Sequence, residues 1–79
     1  MTTTIDFPDL DAAIDAEAWQ WLQEAAPVYA DAVTAEVRRG HAPGDIRRRF
    51  LRLTQRHALA LRLEQAARHL RRQRMEVGQ

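Results

Sequence analysis

Serine, asparagine, lysine and cysteine are all missing from this 79-residue chain. The first and last of these absences remove serine and cysteine nucleophiles, and the lack of lysine removes Schiff-base chemistry and the lysine of a phosphate-binding loop. Without cysteine there is neither a disulfide nor a Cys-based zinc site. No apolar run approaches the roughly eighteen residues of a membrane span. Met1 to Ile5 lacks the basic and apolar regions of a signal peptide, so the expected location is cytoplasmic, with no membrane partner. One domain is the most this length allows, and a single core of this size yields only a few kcal/mol after about 1.5 kcal/mol of ordering entropy per residue. An oligomer is the staple that remains.

The charge that is present is sorted by position. Residues 1 to 37 carry eight acids and no base, while residues 38 to 79 carry twelve arginines and three acids, so the formal net of +1 is a cancellation of two strong opposite fields. Arginine in place of lysine has a compositional explanation in GC-rich coding. The placement of the arginines does not. A folded chain must bring the two halves together or leave a divided surface that steers partners.

Ala, Leu, Arg, Glu and Gln dominate, and β-branched residues never alternate as they would in a strand, so the fold class is all-α. An acidic helical arm is expected over residues 9 to 39. Pro27 removes a backbone donor inside it, yet Leu22, Ala26, Tyr29, Val33 and Val37 keep one apolar stripe in phase across the proline. No Ser, Thr, Asp or Asn precedes Pro27 to cap a new helix, which favours a kink over a break. Arg38, Arg39 and Gly40 form a C-terminal signature, and Pro43 with Asp45 opens the next helix. An arginine-rich helix is then expected to run unbroken over residues 43 to 75, about 50 Å at 1.5 Å per residue.

On that helix the apolar surface changes direction. Ile46, Phe50, Leu53 and His57 lie within about 60° of one another, and Leu59, Leu63, Ala66 and Leu70 cluster roughly 120° away. One hairpin partner cannot cover both stripes, so the second is assigned to self-association. The expected architecture is a helical hairpin that dimerises into a four-helix bundle, with a three-helix bundle, Pro27 being a true break, as the alternative. Antiparallel packing about His41 sets Asp31 near Arg52, Glu24 near Arg56 or Arg62, Glu17 near Arg62 or Arg68, and Asp9 and Asp11 near Arg72 and Arg74.

Trp19 and Trp21 point about 200° apart on a helix, so one belongs to the core and the other marks a contact site. Trp21 is assigned inward, and Trp19, with Asp11 and Asp15, to a partner protein. The basic helix resembles a phosphate-tracking surface in composition, with Arg47, Arg48, Arg52 and Arg56 as candidate nucleic-acid contacts. The duller reading, solvated or acid-paired arginines, carries about twice the weight because eight acids compete for them. His57 is read as a half-buried packing residue. Glu64 reads as an i, i+4 partner of Arg68. No spacing of His or Glu matches a helical metal site, and no catalytic residue, metal or cofactor is assigned. The function expected is a non-enzymatic protein-binding adaptor or regulator. The alternatives are a nucleic-acid-binding regulator using the arginine-rich helix, or an acidic nucleic-acid mimic that blocks a basic site on another protein.

Overall fold

A computed structural model describes residues 7 to 77 of the chain, and the side chains from 10 to 74. Among these residues the regular structure is wholly helical: α1 (Phe7–Ala25), α2 (Pro27–Arg38), α3 (Pro43–Thr54) and α4 (His57–Val77). The all-α expectation holds. Neither the two-helix hairpin nor the three-helix alternative does, because each expected arm is two helices. The pairing expected for Asp9 falls on a side chain outside the described ones.

The first arm breaks at Ala26, whose φ of −147° and ψ of 64° are not helical. A residue before proline is pushed out of the α region by the ring, which is the physical reason for a break where a kink was expected. Ala26 still serves both helices. Its N–H donates to the Leu22 carbonyl at 2.8 Å, and its own carbonyl accepts from the N–H groups of Tyr29 and Ala30 at 2.9 and 3.1 Å. Backbone alone does the capping, so no polar side chain was needed before Pro27. The in-phase stripe survives the break: Leu22, Val33 and Val37 are buried, and Ala26 and Tyr29 pack against the same core.

The turn into α3 follows its sequence signature. The N–H of Gly40 donates to the Val37 carbonyl and that of His41 to the Glu36 carbonyl, at 2.9 and 3.2 Å. This is the paired bonding of a Schellman ending, and it requires the φ of +88° that Gly40 adopts.

The second arm breaks where nothing in composition announces it. Gln55 takes the left-handed conformation, φ 57° and ψ 29°, and its N–H donates to the Leu51 carbonyl at 2.7 Å. Such a backbone costs a non-glycine residue about 1 kcal/mol. The break offsets that cost by redirecting the chain, so that both apolar stripes can face one core. Ile46 and Phe50 of the first stripe and Leu63 and Ala66 of the second are buried together, with Leu59 and Leu70 packed against them. The expected self-association stripe is therefore covered within the chain, by α1, α2 and α3, and is not a dimer surface. The same redirection puts Leu53 (69% exposed) and His57 in water, where the unbroken helix would have kept them on its apolar side.

α4 is the hub, packing most extensively on α1 and α3 and also on α2. α2 and α3 touch lightly, through an edge-to-face contact of Tyr29 and Phe50 with centroids 6.2 Å apart. α1 and α4 run antiparallel: Asp15 meets Arg68 and Arg72, and six residues later Trp21 meets Arg62. That is close to the register implied by a turn at His41. No helix among the described residues is long and apolar enough to cross a membrane.

Candidate functional site

Burial sorts the charged residues into those that hold the fold and those left for a partner. Asp15 is only 1% exposed. It accepts from Arg68 Nε at 3.3 Å and from an Arg72 guanidinium nitrogen at 2.7 Å. Arg68 also reaches Glu64 at 2.9 Å, and Glu64 forms an ion pair with Arg47, Nε to carboxylate oxygen at 2.8 Å. One network thus ties α1, α4 and α3 together. One assignment falls with it, since Asp15 is not a surface residue for a partner protein; Arg47 stays exposed, with its guanidinium committed to Glu64.

A second cluster surrounds Glu36, which is 5% exposed. Its carboxylate pairs with the His41 ring, with Arg39 at 3.5 Å and with Arg49 at 3.6 Å, linking α2, the turn and α3. The hydrogen bond from His41 holds the Glu36 carboxyl below its ordinary value of 4.5; burial opposes this, and the charges of Arg49, His41 and Arg39 reinforce it. A carboxyl depressed in the folded state contributes stability that is complete above its unfolded pKa and is lost as pH falls through the lower folded one. Urea unfolding is therefore expected to show the protein losing more stability between about pH 5 and pH 3 than its Glu36→Gln variant does. Equal losses would mean that Glu36 is not paired in solution.

Among the described residues, every buried side-chain nitrogen and oxygen has a hydrogen-bond partner. The groups without such commitments lie outside. Asp11, Glu17, Glu24 and Asp31 are exposed on α1 and α2, and no ion pair engages them among the described residues. Arg52 and Arg56 are likewise exposed without an acid partner. Arg48 is bridged only to Asp45, its exposed neighbour one turn earlier. The opposite fields of the two halves are thus only partly cancelled.

Two surfaces result. The first is shared by α1 and α4. Leu10, Ile14, Trp21 (37%) and Leu61 (46%) stand in water there, and Ile14, Glu17, Ala18, Ala58, Leu61 and Arg62 line a groove of about 310 Å³. The Arg62 guanidinium carbon sits 4.6 Å from the Trp21 ring centroid, a cation–π contact that holds the indole at the surface. The tryptophan assignment is reversed: Trp19 packs against the core and Trp21 marks the exposed site. Leu61 was the missed member. Leu59, Leu61 and Leu63 alternate, and a helix can bury the outer two only by turning the middle one outward.

The second surface is the outer side of α3, where Glu36, His41, Asp45, Arg48, Arg49, Leu51 and Arg52 line a cleft of about 600 Å³. The four arginines expected at a nucleic-acid contact, Arg47, Arg48, Arg52 and Arg56, are all exposed, with Arg47 tied to Glu64 of α4. No protein-family model matches the chain, and comparison with curated proteins and with solved structures returned no match.

Proposed function

We propose that the chain is a non-enzymatic helical adaptor that recognises a protein partner through the shared face of α1 and α4. The observation that carries this is the grouping of Leu10, Ile14, Trp21 and Leu61 in water on adjoining sides of two antiparallel helices, around a groove. Two parallel ridges with a furrow between them are the seat of a third helix. Charge selects its kind. α1 carries no basic residue; its Glu17 lines the groove, and Asp11 and Glu24 are exposed on the same helix, all three without ion-pair partners among the described residues. A basic amphipathic helix satisfies both features, with its apolar stripe in the groove and its cations on the rim. Trp21 is the anchor of the kind that carries a large share of interface energy. The non-enzymatic part of the proposal is supported by the missing serine, cysteine and lysine, which removes those nucleophiles and Schiff-base chemistry.

Leu61→Glu tests the reading, because Leu61 is already nearly half exposed and the change should leave helix content by circular dichroism intact. A partner captured from native lysate by the wild-type chain, then purified, is expected to bind this variant at least about thirtyfold more weakly. A partner held equally by both, or lost only when arginines of α3 are changed, removes the α1 and α4 face from consideration.

A further inference from the structure

The geometry points to a second recognition surface of different chemistry: the outer side of α3 binds the phosphodiester backbone of nucleic acid. The sequence alone weighs against this, because eight acids stand ready to neutralise the arginines. The fold removes that objection. The acids of α1 that are engaged at all are engaged with α4, where Asp15 takes Arg68 and Arg72. No ion pair among the described residues joins an acid of α1 to α3, and the expected partnership of Asp31 with Arg52 is not formed. Among the described residues, the acids paired with the outer arginines are Glu36, which is buried and already shared by Arg39, Arg49 and the His41 ring, and Asp45.

The arrangement of the cations fits a charged backbone. Ile46 and Phe50 face the core and Arg47 is held by Glu64, which leaves Arg48 and Arg52, one turn apart, pointing outward beside Arg49. The three line one cleft together with His41. Arg39 joins them through Glu36, and Arg56 follows in the connection to α4. Planar guanidinium groups in a row, each with several N–H donors, match successive phosphates. Leu53 is the single large apolar side chain exposed on α3, so this side has no greasy stripe to enter a lipid surface. With arginine heads along the cleft and Phe50 buried, the contacts read charge and spacing rather than sequence. The surface is separate from the α1 and α4 groove, so either can fail without the other.

Fluorescence anisotropy of the purified full chain tests it with a mixed-sequence duplex DNA, a single-stranded RNA and anionic lipid vesicles as probes. With about four phosphate contacts, affinity for nucleic acid should fall roughly a hundredfold between 50 and 200 mM salt. The double variant Arg52→Gln, Arg56→Gln should weaken binding on every sequence alike and make the logarithmic salt slope shallower by about two. The control Arg71→Gln, Arg74→Gln removes the same charge from α4 and should leave that slope unchanged. Circular dichroism checks that both pairs stay folded. A preference between the DNA and RNA arms tells which backbone is the natural one. The inference is overturned by no binding at low salt to either nucleic acid, by binding to the vesicles instead, or by a control pair that behaves like the test pair.

Discussion

Changing Leu63 to glutamate is expected to unfold the chain. Leu63 has no exposed surface and sits where α4 meets the rest of the core. Truncation to alanine alone should cost about 2 to 5 kcal/mol through lost transfer energy and the cavity left behind. A buried carboxylate without a partner adds a larger penalty. Five of the eleven buried apolar residues described are alanines, so a few large side chains carry most of the core energy. A domain of this length has a total stability on the order of 5 kcal/mol. Far-UV circular dichroism of Leu63→Glu should therefore show helix lost outright at 25 °C, and sedimentation should show an expanded or aggregated species. A variant that kept full helix content while halving in mass would instead mean that Leu63 faces a second molecule, and the arrangement of α4 at the centre would be wrong.

The second large effect is expected at Asp15. Removing its carboxylate by Asp15→Ala takes away the one acceptor that, among the described residues, joins Arg68 and Arg72 to α1. The two arginine side chains are 38% and 41% exposed, so their charges can rehydrate, and the full penalty of stranding a buried charge does not apply. What is lost is two charge-assisted hydrogen bonds and a filled space between helices, about 2 to 3 kcal/mol. Asp11→Ala, one turn earlier in the same helix but exposed, should change stability by less than about 0.5 kcal/mol. A double-mutant cycle of Asp15→Ala with Arg72→Gln should return a coupling of about 1 to 2 kcal/mol. If Asp11 and Asp15 prove equally dispensable in urea unfolding, the contact between α1 and α4 is not made as described.

How much of this was legible beforehand depends on where the deciding physics resides. Local chemistry was readable: the Gly40 ending, the Pro43 start and the pairing of Glu64 with Arg68 follow from residue types a few positions apart. The rotation of the apolar stripe between Phe50 and Leu59 was also visible, but two solutions satisfy it. A straight helix needs another molecule on one side, whereas a bent chain can fold both stripes inward. The bend rests on a single glutamine in the left-handed region, with neither glycine nor proline to mark it, so only tertiary packing reveals it. Trp19 and Trp21 show the same division. Their opposition on the helix was apparent from spacing, while the choice of which turns inward depends on where α4 lies. Asp11 and Asp15 are chemically alike and one turn apart, and only the reach of Arg68 and Arg72 separates them.

The central position of α4 has a consequence for synthesis on the ribosome. Residues that are partners in the folded molecule are up to 57 positions apart, as Asp15 and Arg72 are, so closing the core means closing a long loop. While translation proceeds, α1, α2 and α3 emerge with their apolar sides open and no common helix to collect them. An arrest before Leu63 and Ala66 leave the exit tunnel would release a nascent chain with nothing to pack around, a natural client for chaperones.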